Sequence, residues 1–361
     1  MKRLCIVAGG TGGHIVPAIA FGEWIRENHK EVNVFFVCGT RPMEREIYSG
    51  LGFDPITLPI SGSPLGADGI KDKASRLLGL YRSIFEFRRL IRRHSFDACV
   101  LFGGYVSLIP LLLCHFYGIP VIAHEQNATA GKTTRLARFL GKKIASGWEV
   151  CSPFSPCDFH RTGIPVRRFN LGPPEKAWSS LGFRVPFPKG KIVGVLGGSL
   201  ISQRLIQLSG FVVNDPVFDR VSFIILGGVE KGRPPGRKED GGCNVYVTEK
   251  QRDMSGFYSL IDAALTRGGA STLAELGALG IPSVVIPWAG ASDDHQEMNA
   301  RCFLESNIGE IWREDEAPES LKESLFRILQ GERASWRPYI EGDESESLWR
   351  LISSSIGREI I

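Results

Sequence analysis

The sequence predicts an α/β protein with two Rossmann-like domains, each containing a doubly wound parallel sheet. Short apolar runs alternate with helical stretches along most of the chain, which is typical of repeated β-α-β units. The pattern also starts twice, because an apolar run ending in Gly-Gly opens each half, at Val7–Gly10 and at Val195–Gly198. The length of 361 residues suits two cores, since one domain seldom exceeds about 250 residues.

The predicted strands fall into two series that a linker rich in Pro and Gly separates. The first series is expected at 3–10, 32–39, 98–104, 120–124 and 143–146, and the second at 191–198, 221–228, 244–248, 263–266 and 282–287. The linker, Gly163–Pro174, predicts domains at 1–163 and 164–340. A helix within 341–361 follows, with the first domain as a candidate packing surface. Residues 229–242 are expected to form a surface loop.

The composition is that of an ordinary globular protein. Hydrophobic residues make up 43% of the chain, and the net charge of +4 gives no reason to expect nucleic acid as a partner. Eight cysteines occur without a C-x-x-C pair, so we expect reduced thiols and neither a metal nor another cofactor. The chain begins with a strand and lacks the order of segments in a signal peptide, which predicts a protein that stays inside the cell.

The stretch from 267 to 299 gives the strongest indication of a ligand site. A strand ending at Thr266 leads into Gly268-Gly269 and then into a helix predicted over 271–279. Free N–H groups in the first turn of such a helix bind a pyrophosphate, and glycine lets a ligand approach the backbone. Glu275 fits two roles, as an acceptor for the hydroxyls of a ribose or as part of a capping box with Thr272.

A second Gly-rich turn, Gly9–His14, follows the first strand and precedes a helix predicted at 17–29. It fails the G-x-G-x-x-G spacing of dinucleotide sites, because Ile15 stands where the third Gly belongs. His14 falls at the predicted carboxyl edge of the sheet, where open α/β sheets bind ligands. The polar run His124–Asn127 follows another strand and adds Glu125 to the same edge.

The segment Ile70–His94 is the candidate for binding a membrane surface. It contains eight Lys and Arg residues but only two acidic ones. Apolar residues at helical spacing are expected to pack on the domain, and these are Leu77, Leu80, Ile84, Phe87 and Ile91. The residues off that stripe suit an anionic bilayer, and a solvated amphipathic helix is the alternative. This membrane patch consists of Leu78, Tyr81, Arg82, Phe85, Arg88 and Arg92.

Seven motifs occur in an order and spacing that resemble the MurG family. They are GGTGGH at 9–14, FGGYVS at 102–107, HEQN at 124–127, G-x-PVR at 163–167, GGS at 197–199, RGGAST-x-AE at 267–275 and DDHQ-x-x-NA at 293–300. The family comprises bacterial peptidoglycan N-acetylglucosaminyltransferases, which convert lipid I into lipid II. The resemblance implies a GT-B fold with an interdomain cleft. In this fold the first domain binds the acceptor, and the donor UDP-N-acetylglucosamine is bound mainly by the second domain. The implied donor-binding residues are Thr11, Gly12, Gly13, Asn127, Arg167, Ser199, Ala270, Ser271, Glu275 and Gln296.

The resemblance also implies an inverting, metal-independent transfer to the 4-hydroxyl of a muramoyl sugar on undecaprenyl diphosphate. His14 is the preferred general base because an imidazole titrates near neutral pH, and Glu125 is the alternative. The implied partners are the sugar nucleotide, the lipid-linked acceptor and an anionic membrane surface, with the protein peripheral on the cytoplasmic face. Other classes stay open: a UDP-N-acetylglucosamine 2-epimerase, another GT-B glycosyltransferase, or a non-catalytic binding protein.

The chain departs from the family pattern near the expected diphosphate and base sites. Ile164 replaces the Asn of G-N-P-V-R, and Leu200–Ser202 replaces Gln-Gly-Ala after the GGS motif. Ile201 in place of Gly restricts the backbone beside the diphosphate, which favours weaker donor binding. Lys250–Arg252 stands where the family has an aromatic-aliphatic pair against uracil.

Overall fold

The computed structural model describes residues 2–66, 69–197, 203–213, 215–228, 236–240, 243–290, 294–331 and 343–356. The chain divides into two compact units, Met1–Arg167 with Ile340–Ile361, and Arg168–Tyr339. Each unit is built on one mostly parallel sheet with helices, which confirms the predicted fold class. Ser199 and the altered residues 200–202 lie outside the described ranges.

The first unit contains a parallel sheet in the order β3-β2-β1-β4-β5-β6-β7. Its strands are β1 Lys2–Ala8, β2 Val32–Cys38, β3 Ile56–Thr57, β4 Ala98–Gly103, β5 Val121–Glu125, β6 Lys143–Ser146 and β7 His160–Arg161. Its helices are α1 Gly12–Asn28, α2 Pro42–Gly50, α3 Ile70–His94, α4 Leu108–Phe116, α5 Lys132–Phe139 and, from the end of the chain, α12 Asp343–Ser355. The strand order reverses between β1 and β4, so the carboxyl ends of these strands form the switch point where such sheets bind ligands.

The central strands of this sheet are buried on both faces, which explains why they appear in the sequence as unbroken apolar runs. On one face, Ile6 packs with Phe21 of α1 and Leu348 of α12. On the other face, Val7 belongs to a cluster with Phe87 of α3. The C-terminal helix α12 is therefore part of the core of the first unit.

The second unit contains a sheet in the order β10-β11-β9-β8-β12-β13-β14. Its strands are β8 Ile192–Leu196, β9 Ser222–Leu226, β10 Gly236–Asp240, β11 Cys243–Thr248, β12 Ala263–Thr266, β13 Ser283–Val285 and β14 Gly309–Ile311. Its helices are α6 Pro174–Ser180, α7 Gln203–Val213, α8 Ser255–Leu260, α9 Ala270–Ala278, α10 His295–Leu304 and α11 Pro318–Gln330. The order reverses between β8 and β12, which places the switch point of this unit at their carboxyl ends.

Helix α1 and residues 236–240 differ from their predictions. Helix α1 begins at Gly12 and not at Pro17, because Gly10 completes the turn at φ +90°, and Pro17 lies inside the helix. Residues 236–240, predicted as part of a surface loop, form the strand β10, which pairs antiparallel with β11. Four of the five residues of β10 are charged, which suits an edge strand, since charged residues discourage further pairing.

Candidate active site

Two glycine turns meet at the switch point of the first unit. Gly10 follows β1 with φ +90°, and Gly103 and Gly104 stand at the end of β4 with φ +108° and +81°. These are left-handed values that favour glycine. A Cβ at Gly104 would lie 2.3 Å from the carbonyl oxygen of Gly9, so the two turns touch. The motifs GGTGGH and FGGYVS therefore form one backbone surface at the carboxyl edge of the sheet.

A buried carboxylate that the sequence analysis missed supports this surface. Glu44, in the first turn of α2, accepts the backbone N–H of Gly10 at 2.8 Å and that of Gly39 at 2.6 Å. Burial raises the pKa of Glu44, and the two backbone hydrogen bonds oppose the shift. The available sequence signal was an acidic residue in the first helical turn behind the second strand, two positions after Pro42.

His14 lies in the first turn of α1, and its ring packs on the backbone of Gly103. A Cβ at Gly103 would lie 2.9 Å from His14 Nδ1, so any side chain there would displace the imidazole. The same Nδ1 lies 2.8 Å from Oε1 of Gln126, just after β5. The structure thus brings the first Gly-rich turn, the FGG turn and the HEQN run together around one partly exposed imidazole.

Gln126 connects His14 to a second, fully buried histidine. The Nε2 atom of Gln126 lies 2.9 Å from His124 Nδ1 and 3.0 Å from the His124 carbonyl oxygen. His124 Nε2 lies 2.9 Å from the carbonyl oxygen of Gly163. Burial lowers the pKa of His124 to about 4, with the hydrogen bond to Gly163 opposing the shift. This imidazole is therefore neutral at neutral pH.

Glu125, the alternative base, has its carboxylate engaged in the turn between β5 and α5. Oε1 accepts the backbone N–H of Asn127 at 3.1 Å and its side-chain amide at 3.2 Å. Oε2 accepts the N–H of Gly131 at 2.9 Å and the hydroxyl of Thr134 at 2.6 Å. The side chain is also buried. These contacts indicate a structural role for Glu125 at the start of α5 and explain the orientation of Asn127.

The remaining predicted donor-binding residues of the first unit lie along α1. Thr11 is the N-cap residue of α1, and Gly12 and Gly13 form its first turn. Arg167 is the last residue of the continuous first segment of this unit, and its charge opposes the upward shift that burial gives to the pKa of Glu23 on α1. Within the described ranges, no cluster of three or more His, Cys, Asp or Glu residues could hold a metal ion.

In the second unit, the Gly268-Gly269 turn lies at the carboxyl end of β12, beside β8. Helix α10 supports this turn from behind, because the buried side chain of Asn299 donates to the Gly268 carbonyl oxygen at 2.9 Å. A Cβ at Gly268 would lie 2.3 Å from the carbonyl oxygen of Gln296, so glycine is required for this approach. The side chain of Gln296 accepts the backbone N–H of Trp288 at 3.0 Å.

Helix α9 starts one residue earlier than predicted, at Ala270, with Gly269 as its N-cap and Ser271 in its first turn. The capping box, one of the two alternatives for Thr272 and Glu275, is therefore ruled out, because Gly269 is the N-cap and Thr272 lies inside the helix. Glu275 is buried, and its Oε2 accepts the hydroxyl of Tyr258 at 2.6 Å. The predicted role of Glu275 in ligand binding stays a prediction.

The predicted packing face of α3 is wrong at two positions. Leu77 and Ile84, expected to pack on the domain, are 51% and 37% exposed. The helix instead presents small residues to the domain: Ser83 is fully buried, and a Cβ at Gly79 would lie 2.2 Å from the carbonyl oxygen of Pro59. The helix backbone approaches Pro59 closely at Gly79, and the larger side chains of Leu77 and Ile84 are left exposed.

The apolar side chains of the membrane patch are exposed, as are its arginines. Tyr81 and Phe85 contact each other edge to face and are 59% and 53% exposed. Helix α4, which packs beside α3, adds Phe116 at 80% exposure. No helix of the described residues is long and apolar enough to cross a membrane.

Comparisons with known proteins identify the family. Residues 4–146 match the glycosyltransferase family 28 N-terminal domain and residues 192–338 match the glycosyltransferase family 28 C-terminal domain. A relative from Magnetococcus marinus, named UDP-N-acetylglucosamine–N-acetylmuramyl-(pentapeptide) pyrophosphoryl-undecaprenol N-acetylglucosamine transferase, is 31% identical over 91% of this chain and 88% of its own length.

Solved structures agree on the fold. The crystal structure of Acinetobacter baumannii MurG superposes with a TM-score of 0.66 at 21% identity, covering 99% of this chain and all of that one. A putative UDP-N-acetylglucosamine 2-epimerase from Listeria monocytogenes superposes with a TM-score of 0.65 at 14% identity, covering 98% of this chain and 96% of that one. Since the fold alone does not separate these two, the sequence relationship decides, and the chain belongs to the MurG family of GT-B N-acetylglucosaminyltransferases.

Proposed function

We propose that this protein transfers N-acetylglucosamine from UDP-N-acetylglucosamine to the 4-hydroxyl of the muramoyl sugar of undecaprenyl-diphosphate-linked MurNAc-pentapeptide. The observation that carries the proposal is the similarity to a transferase of that name along nearly the whole chain. The geometry of both units supports it, because a glycine turn followed by a helix stands at the switch point of each sheet. Such turns bind phosphates and sugars through backbone N–H groups.

The donor is proposed to bind mainly to the second unit. The first turn of α9, at Ala270 and Ser271, offers N–H groups to the diphosphate, and the carboxylate of Glu275 accepts the ribose hydroxyls. Two features support Glu275 in this role: it is buried in α9, the helix that follows the Gly268-Gly269 turn, and it accepts a hydrogen bond from the Tyr258 hydroxyl. Arg167 and Ser199 are proposed to stabilise the negative charge on the departing UDP.

The acceptor sugar is proposed to be activated by His14 of the first unit. The 4-hydroxyl oxygen attacks the anomeric carbon of the donor while the bond from that carbon to the UDP oxygen breaks, so one displacement inverts the configuration. His14 takes the hydroxyl proton as the general base. The alternative, Glu125, is disfavoured because four donors from the β5–α5 turn already occupy its carboxylate.

The protein is proposed to bind peripherally to the cytoplasmic face of an anionic membrane, where the lipid-linked acceptor resides. The support is the exposure of the membrane patch on α3 and of Phe116 on the adjacent α4. Exposed apolar side chains beside Arg82, Arg88 and Arg92 combine hydrophobic insertion with attraction to anionic lipids.

Release of UDP, measured with and without a lipid I analogue, tests the proposed function. We expect release to require both the donor and the acceptor, because the displacement consumes both. Turnover of the donor to a C2 epimer without any acceptor would instead identify an epimerase. Binding of UDP-N-acetylglucosamine with no turnover under either condition would identify a binding protein, and either result would contradict the proposal.

A further inference from the structure

We propose that Gln126 is a positioning residue that holds His14 in the tautomer with its proton on Nδ1, which leaves Nε2 as the proton acceptor. The proposal deepens the proposed function and rests on His14 as the general base. Gln126 belongs to the HEQN run but was not predicted as a site residue. Its side chain is 1% exposed and bridges His14 and His124, so its contacts are set by the protein and not by water.

The orientation of the Gln126 amide follows from its surroundings. The carbonyl oxygen of His124 only accepts hydrogen bonds, so the amide atom 3.0 Å away must be the NH2 nitrogen. The amide oxygen is then the atom that faces His14, at 2.8 Å from Nδ1. Because an amide oxygen only accepts, Nδ1 of His14 must donate. A neutral imidazole has a single N–H, and its Nε2 therefore keeps the lone pair.

The hydrogen bonds of the Gln126 amide also determine the tautomer of His124. The second N–H of the Gln126 amide is directed to His124 Nδ1 at 2.9 Å, which must accept and so carries no proton. The proton of His124 is then on Nε2, where it donates to the Gly163 carbonyl oxygen at 2.9 Å. Protonating His124 would set a ring N–H against the amide N–H. Burial prevents this by keeping the imidazole neutral at neutral pH.

The fixed tautomer suits the proposed chemistry. When the acceptor hydroxyl attacks, its proton passes to Nε2 of His14, and Nδ1–H continues to donate to the amide oxygen throughout. A neutral amide selects the tautomer without adding a negative charge beside the base, unlike the carboxylate of a serine-protease triad. Among the described residues, His124 lies across Gln126 from this imidazole, and Glu44 accepts the backbone N–H of Gly10 in the turn before it.

Nuclear magnetic resonance of the full-length protein, labelled with 15N-histidine, tests the tautomer without any substitution at Gln126. Long-range 1H–15N correlations show which ring nitrogen carries the proton, and the His14 signals are those that His14→Ala removes. We expect a protonated Nδ1 and an unprotonated Nε2 in His14 near neutral pH. A His14 with its proton on Nε2 in the unsubstituted protein would overturn the proposal.

The variant Gln126→Met keeps the side-chain length but removes both hydrogen-bonding ends. We expect kcat to fall about tenfold or more, because His14 loses both its orientation and its tautomer, while KM for UDP-N-acetylglucosamine changes by less than about twofold. The His14 signals should shift towards the Nε2–H form. Thr134→Val is the matched control, since it removes a buried hydroxyl from the neighbouring polar cluster and should leave the His14 tautomer unchanged.

Gln126→Glu provides a second readout, because it retains an oxygen towards His14 but adds a negative charge. The acid limb of the kcat profile should move to higher pH, since a carboxylate favours the protonated imidazole. If His14→Ala abolishes turnover but Gln126→Met changes neither kcat nor the tautomer, the positioning role is refuted and the base role stands. If His14→Ala retains turnover, the base role fails, and the tautomer in the unsubstituted protein still decides the role of Gln126.

Discussion

Two uncharged residues position His14. Gly103 leaves room for its ring, and the side-chain amide of Gln126 binds its Nδ1. The sequence predicted His14 and Glu125 as polar residues after strands, and Glu275 in the helix that follows a strand, because the strands themselves could be recognised from apolar runs. It did not predict the roles of Glu44 and Gln126. Glu44 also binds Gly10, 34 residues away along the chain, and Gln126 binds His14, 112 residues away, and local sequence does not encode these long-range contacts.

Replacing Glu275 with alanine should raise KM for UDP-N-acetylglucosamine about tenfold or more, since a hydrogen bond to a charged acceptor contributes about 1.5–3 kcal/mol. Steady-state kinetics with a soluble acceptor analogue measures the change. Thr272→Val is the control, because Thr272 lies inside α9 and forms no capping box with Glu275. A folded Glu275→Ala protein with normal donor affinity would remove Glu275 from the donor site.

The buried neutral state of His124 predicts a loss of stability in acid. His124 takes up a proton near its ordinary pKa of 6.5 in the unfolded chain, but only near a pKa of about 4 in the folded protein. Its contribution to the free energy of unfolding is therefore fully present above about pH 6.5 and is lost as the pH falls towards 4. Between about pH 7.5 and about pH 5.5 the first unit should lose about 1 kcal/mol from this group. Hydrogen exchange of the β5 amides measures the opening free energy. The variant His124→Asn should lack this pH-dependent loss of opening free energy. The same loss in the variant would contradict its assignment to His124.

At the scale of elements, the differences between prediction and structure have local physical causes. Helix α1 starts early because a left-handed glycine completes the turn within two residues. Periodicity predicted α3 as a helix but could not select its packing face, because apolar residues surround much of it. The close approach of Gly79 to Pro59 decides the face, and it increases the exposed apolar area by Leu77 and Ile84.

Reversing the charge of Arg82, Arg88 and Arg92 to Glu should remove most binding to phosphatidylglycerol vesicles at low salt. Each basic residue near an anionic surface contributes about 1 kcal/mol, and the acidic replacements add repulsion. Sedimentation with vesicles measures the bound fraction, and turnover of a short soluble acceptor should stay near normal. A control with the same change in net charge, Lys30, Arg184 and Lys189 to Glu, alters exposed residues in loops outside α3 and should keep most binding. Equal binding by both variants would show that α3 is only a solvated helix.

At the scale of the whole molecule, the alternation of strands and helices was enough to predict two doubly wound sheets, because every central strand is buried on both faces. The order of the strands and the return of α12 to the first unit depend on pairing and packing between distant segments. The proposed function requires that the candidate base of the first unit and the candidate diphosphate site of the second unit act in a single transfer between two substrates.

Analysis of the product decides whether this single transfer takes place. The protein is incubated with UDP-N-acetylglucosamine and a lipid I analogue, and the product is examined by mass spectrometry and by the anomeric coupling in its proton spectrum. We expect one N-acetylglucosamine joined through a β linkage to the 4-oxygen of the muramoyl sugar, with one UDP released for each product. Recovery of the unchanged acceptor, or an α linkage, would contradict the proposed transfer.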